Sequence, residues 1–113
     1  MHKTIFQKII DRELKADIIY EDNWCIAFHD ANPQAPVHIL LVSKKVIEKL
    51  SELEEEDKDL LGHMMVKVPE ITSKLGIKDN FRLVINNGLQ ACQTVYHLHM
   101  HILAGRMFNW PPG

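Results

Sequence analysis

Between Gln93 and Leu103 the chain reads Gln-Thr-Val-Tyr-His-Leu-His-Met-His-Ile-Leu, with histidine at every second position from His97 to His101. Strict alternation of this kind is the pattern of a half-buried β-strand, whose successive side chains point to opposite faces. His97, His99 and His101 therefore share one face, about 6.5–7 Å apart from one to the next. Leu98, Met100 and Ile102 share the other and point into a core. An apolar core does not call for three titratable imidazoles in a row, so the polar face is the first place to look for chemistry.

The rest of the composition narrows the classes. A chain of 113 residues fits a single domain, expected over 1–113. It carries 46% apolar and 25% charged residues, the balance of an ordinary globular protein. A net charge of −2 without a basic stripe argues against a nucleic-acid partner. No apolar run approaches the ~20 residues of a membrane span, and Met1-His2-Lys3-Thr4 does not begin a secretory signal. Cys25 and Cys92 lack metal or redox spacing and read as free thiols of a reducing cytoplasm.

Read in order, the chain alternates sheet and helix signals. Ile5, Phe6, Ile9, Ile10 and Leu14 recur at helical spacing behind Thr4, so a short capped helix is predicted over about residues 4–12. Ile18–Tyr20 and Trp24–Phe28 flank the turn Glu21-Asp22-Asn23 and predict a β-hairpin. Pro33 and Pro36 break the segment from Asp30 to Pro36, and Val37–Val42 is a third strand carrying His38. Leu60, Leu61, Met64, Met65, Val68, Ile71 and Leu75 form the apolar stripe of a long helix. The acidic run Glu54–Asp57 suits its solvated start, Pro69 should kink it, and Gly76 should end it in a left-handed cap. Phe81–Ile85 is a fourth strand, a loop covers Asn86–Cys92, and the histidine strand is the fifth. This order predicts an α+β domain: a five-stranded antiparallel sheet with one short and one long helix.

Three chemistries compete for the histidines. His-x-His on a strand can clamp zinc, with His38 or Asp30 as a further ligand, although no Glu-x-x-His or Cys pair supports it. A neutral imidazole is also a competent nucleophile for a phosphorus centre. Gln93, Thr94 and Asn86 then offer donors for phosphate oxygens or a leaving group. The third reading is an inert polar face. That suits isolated residues such as His2, His29 and His63 better than three in strict alternation.

The run His97-Leu98-His99-Met100-His101-Ile102-Leu103 resembles the motif that names the histidine triad (HIT) superfamily. Phe28-His29-Asp30, Pro33–His38, Leu61-Gly62-His63, Gln93–Tyr96, the Gly105-Arg106 pair and the tail Trp110-Pro111-Pro112-Gly113 resemble its Hint branch. The likeness spans nearly the whole chain. It implies a HIT-like fold, with sheets joined across a homodimer and the tail at 104–113 contributing to the dimer and the active site. The implied activity is hydrolysis of purine nucleoside phosphoramidates (AMP or GMP conjugates of amines) with no cofactor or metal. The alternatives are a dinucleoside polyphosphate hydrolase and a nucleotide-binding interaction protein with incidental hydrolysis.

The resemblance also implies roles. His99 would attack the α-phosphorus and form a nucleotidyl-histidine intermediate, His101 would bind phosphate oxygens, and His97 and His38 would orient the imidazoles. Thr94 would contact the departing amine, while Asp30 and the Ala31 backbone would hold the ribose. Ile5, Phe6, Ile9, Phe28 and Leu40 would line the base pocket, a pattern that ordinary core also explains. Asn86, Cys92 and Gln93 would complete the phosphate cradle, and Trp110 would reach the partner's site. Where the branch usually reads Gly-Gly-Gln-Ser, this chain reads Ala91-Cys92-Gln93-Thr94. A left-handed backbone at the second of these positions would strain Cys92, and Thr94 keeps the hydroxyl with fewer rotamers.

Overall fold

Ile18–Glu21 (β1), Cys25–His29 (β2), Val37–Ser43 (β3), Arg82–Val84 (β4) and His99–Ala104 (β5) form one antiparallel sheet, ordered β1-β2-β3-β5-β4. With a short helix at Ile5–Ile10 (α1) and a long one at Lys58–Lys74 (α2), this is the expected α+β architecture. The computed structural model describes residues 2–113; Met1, the first residue of the expected domain, lies outside them. No helix of the described residues is long and apolar enough to cross a membrane.

Register separates two chemistries on the two sheet faces. Ile26, Val42 and His99 pair across β2, β3 and β5, as do Phe28, Leu40 and His101 one step along. Residues paired across antiparallel strands share a face, so the histidines lie on the face of Ile26, Phe28, Leu40 and Val42. The opposite face carries Cys25, Ala27, Ile39, Leu41, Met100 and Ile102, all fully buried. It packs against Leu60, Met64, Val68 and Ile71 of the predicted α2 stripe, with Leu61 and Leu75 at its margin, whereas Met65 is exposed. Leu98, Met100 and Ile102 thus enter the main core as expected.

α1 covers the other face. It has six residues, too few to be stable alone, so its place depends on burying Phe6 and Ile9 against Ile26, Phe28, Leu40 and Val42. Thr4 caps it as predicted, its hydroxyl accepting the Gln7 N–H at 3.1 Å.

Two local expectations change, and two features of α2 are as drawn from the sequence or compatible with it. α2 continues through Pro69 to Lys74, with its stripe packed on the sheet both before and after the proline. Gly76 does adopt the left-handed cap (φ +75°), with the Ile77 N–H returning to the Thr72 carbonyl. The acidic run is not all solvated: Asp57 is buried, accepts the Glu54 N–H and holds Lys45 at 2.6 Å. His63 is not an idle surface residue either. Its Nε2 meets the Asp22 carboxylate at 2.6 Å, and its ring stacks on Trp24.

Asp22 is the centre of that clamp between the β1–β2 hairpin and α2. It also accepts the Tyr20 hydroxyl (2.5 Å) and the N–H groups of Trp24 and Cys25 (2.7 and 2.9 Å). Partial burial alone would raise its pKa, but the bonds from Tyr20, His63 and the two N–H groups outweigh this and hold the carboxyl well below its usual range. A lowered folded pKa means the stabilisation is complete above the unfolded value, about 4, and is lost as pH falls below it. Asp22→Asn is therefore expected to cost about 1–3 kcal/mol at neutral pH in urea unfolding. The gap to the parent protein should shrink towards about pH 3, where the parent carboxyl loses its advantage. An unchanged gap would refute the clamp.

Candidate active site

A neutral imidazole has one proton and one lone pair, so its neighbours reveal which nitrogen holds which. His97 Nε2 lies 2.6 Å from the Ser43 carbonyl, which can only accept, so the proton is on Nε2. Its Nδ1 is then a lone pair, which receives the Thr4 hydroxyl at 3.3 Å. His99 Nδ1 lies 2.6 Å from the His97 carbonyl and must donate to it. The lone pair of His99 is thereby confined to Nε2.

The second pair follows the same logic. The Gln34 N–H donates to His38 Nδ1 at 3.0 Å, which puts the His38 proton on Nε2. That nitrogen donates to His101 Nδ1 at 2.9 Å, with the Asp30 carboxylate 3.4 Å away. His101 is left with a proton on Nε2. Its ring stands 5.0 Å from that of His99, centroid to centroid. The result is one imidazole presenting a lone pair beside another presenting an N–H.

Burial keeps all four rings neutral at pH 7. It lowers the pKa of His97, His99 and His38, and His99 and His38 add to the same effect at His101, which falls to about 4. Asp30 pulls the other way without reversing the shift.

Beside the imidazoles lies the apolar cluster of Phe6, Ile9, Ile26, Phe28, Leu40 and Val42. Phe6 presents its ring at right angles to His99, 4.8 Å between centroids. Four of the five predicted pocket residues are in this cluster; Ile5 is 57% exposed and stands outside it. Ile26 and Val42, both fully buried, are cluster members that the motif did not mark. The strand period held the signal, since each is two residues from a marked neighbour, Phe28 or Leu40.

The loop before β5 changes the picture of the cradle. Gln93 is buried, and its amide is fully engaged: Nε2 donates to the Glu48 and Val95 carbonyls and Oε1 accepts the Gly88 N–H. Its own N–H goes to Gly88, and that of Cys92 to Leu89. These groups hold the loop's shape and have no donor left for a ligand. Thr94 is exposed just beyond them, Asn86 lies half-buried after β4 and Ala31 is exposed next to Asp30. Cys92 does take the left-handed conformation (φ +69°) that glycine would adopt without strain.

The tail does not fold onto its own core. Met107 and Trp110 are 88% and 83% exposed. Phe108 sits between the guanidinium groups of Arg82 and Arg106, 5.0 and 4.2 Å from its centroid. Arg106 also donates to the carbonyl of Gln34, the residue whose N–H sets the His38 tautomer.

Among the described residues, two groups bring three potential metal ligands together, Asp30–His38–His101 and Asp22–Cys25–His63. Neither suits a metal. His38 has its one lone pair on Nδ1 under the Gln34 N–H, whereas a ligating histidine donates from its second nitrogen. In the second group both Asp22 oxygens are already taken, and burial pushes the Cys25 thiol up to about 12, far from the thiolate a metal needs.

Alternating imidazoles with assigned tautomers on an antiparallel sheet define a histidine-triad site. The HIT domain family profile matches residues 11–108, and the chain belongs to that family. It is 60% identical to an uncharacterized HIT-like protein of Synechocystis sp. over 97% of this chain and 96% of the relative. It is 44% identical to a 14 kDa zinc-binding protein of Zea mays, over 97% and 88%. Among solved structures, a HIT family hydrolase from Legionella pneumophila superposes with a TM-score of 0.95 at 36% identity, covering 98% of this chain and all of that one. A histidine triad nucleotide-binding protein from Candida albicans superposes at 0.83 with 28% identity, covering 96% and 83%.

The left-handed backbone at Cys92 makes a simple expectation. Cys92→Gly should stabilise the protein by about 1 kcal/mol, read as a higher denaturation midpoint at unchanged slope. An unchanged or lower midpoint would mean that the loop carries no strain there.

Proposed function

We propose that this protein is a nucleotide-binding hydrolase of the Hint branch that cleaves the P–N bond of purine nucleoside 5′-phosphoramidates. The observation that carries the reading is the confinement of the His99 lone pair to Nε2, beside the His101 N–H and the apolar cluster of Phe6, Ile9, Phe28 and Leu40. The lone pair attacks the α-phosphorus to form a phosphorus–Nε2 bond, and the phosphorus–nitrogen bond breaks as the amine takes up a proton from solvent. Water then cleaves the phosphorus–Nε2 bond, returning a proton to solvent, releasing the nucleoside monophosphate and restoring the imidazole. The His101 Nε2–H stabilises charge that develops on a phosphate oxygen.

The remaining roles belong to the same proposal. Asp30 and the Ala31 backbone hold the ribose, Asn86 and Thr94 flank the phosphate, and Thr94 faces the departing amine. The chemistry runs on imidazoles without a metal, in keeping with the tautomers of His38 and His101. The zinc-binding name of the maize relative suggests the other reading, which the donor set here does not favour. The exposed Met107 and Trp110 support a homodimer in which each tail completes the partner's site.

His99→Ala should lower turnover of an adenosine or guanosine phosphoramidate by at least about 1,000-fold, and denaturing mass spectrometry should find a nucleotidyl adduct on His99. Preferential cleavage of diadenosine polyphosphates in the same panel would replace this reading with its rival. A chelator should leave the rate unchanged; loss restored by zinc would overturn the metal-free mechanism. Because burial lowers the imidazole pKa values, kcat/KM should be flat around neutrality and fall only below about pH 6.5, as protonation removes the lone pair.

Tail exchange has its own test. A chain with His99→Ala and an intact tail is mixed with one that keeps His99 but stops after Arg106. Mixed dimers should recover activity above either parent if the tail acts across the dimer. Mixed dimers with parental activity would place its action within its own chain.

A further inference from the structure

We infer that Thr4 is a positioning residue for the nucleophile, acting through His97. This rests on the reading of His99 as the nucleophile. The His99 tautomer depends on one acceptor, the His97 carbonyl at 2.6 Å. His97 lies outside β5, which begins at His99, and the peptide that carries its carbonyl is held on its N–H side by the Leu98 N–H bond to the Ile47 carbonyl at 2.7 Å. The His97 side chain adds a second hold. Nε2 donates to the Ser43 carbonyl, and Nδ1 receives the Thr4 hydroxyl. With both nitrogens tied, the ring has one orientation, and it braces the carbonyl side of a peptide whose N–H side is bonded to Ile47.

Thr4 makes this tie while it caps α1, because its oxygen accepts the Gln7 N–H and its proton remains available for His97. The helix that floors the base pocket through Phe6 and Ile9 is thus joined to the groups that orient His99. A base seated against α1 and the nucleophile are connected through this hydroxyl as well as through the Phe6 ring on His99. The cap and the tie to His97 can be separated by substitution. Serine keeps both. Glycine keeps most of the cap, at a cost of a few tenths of a kcal/mol, and removes the hydroxyl.

The test compares the full-length parent with Thr4→Ser, Thr4→Gly and Thr4→Val. Histidine ¹⁵N spectra of the free protein are recorded with steady-state kinetics on an adenosine phosphoramidate. The expected result is a shift of the His97 Nδ1 signal in the Gly and Val variants. It should come with a fall in kcat of about 5- to 10-fold at a KM within about twofold of the parent, and serine should restore both. Parent-like kcat in Gly and Val would overturn the proposal. So would a fall in kcat matched by a rise in KM with the His97 signal unmoved, since Thr4 would then act only as a helix cap. If the parent itself hydrolyses no phosphoramidate, the functional reading fails by itself. The His97 signal then still decides, shifting if Thr4 positions that ring and staying in place if it does not.

Discussion

A neutral imidazole can present a lone pair at only one of its two nitrogens, and at this site backbone groups decide which one. Three of the four assignments come directly from a peptide group: the Ser43 carbonyl for His97, the His97 carbonyl for His99 and the Gln34 N–H for His38. Only His101 takes its state from another side chain, and that side chain is His38. Backbone groups do not titrate and move only with the fold, so the arrangement persists as long as the sheet and its flanking loops do. Burial supports it by keeping the rings neutral, which a solvated triad with pKa values of about 6.5 would achieve only in part at pH 7.

The two faces of the sheet divide the work. On the α2 side, Ile39, Leu41, Met100 and Ile102 are sealed in a continuous core that fixes β3 against β5. On the other side the same two strands offer His38, His99 and His101, with α1 closing the apolar part of the surface. Because the side-chain period is two, a slip of one residue between β3 and β5 would send the histidines into the α2 core. The tightness of the rear packing therefore holds the geometry of the front.

Both ends of the chain reach the same four rings. Thr4 touches His97 from the N-terminal helix, and Arg106 holds the Gln34 peptide that sets His38. Between these ends the loop at Gly88–Gln93 is an internally bonded support. The buried Gln93 amide joins it to Glu48 and Val95, which explains a glutamine at that position without any ligand contact.

Alternation from His97 to His101 determined by itself that a strand would carry imidazoles on one face and a core on the other, because the strand period is local and independent of partners. β5 nonetheless takes in only His99 and His101 and leaves His97 just before it. The stripe of α2, the Thr4 cap and the left-handed Gly76 were legible for the same reason: each depends on spacing or on the conformational range of one residue. The departure from glycine at Cys92 raised a left-handed backbone as one possibility beside a merely close backbone approach, and its φ of +69° is the left-handed one. What only the tertiary structure decided are relations between distant segments. His63 with Asp22, Asp57 with Lys45, Gln93 with Glu48 and Thr4 with His97 join residues whose separation along the chain carries no pattern. The tautomers belong to the same class, since the proton on a ring follows the group that packing brings against it, and no residue type encodes that neighbour.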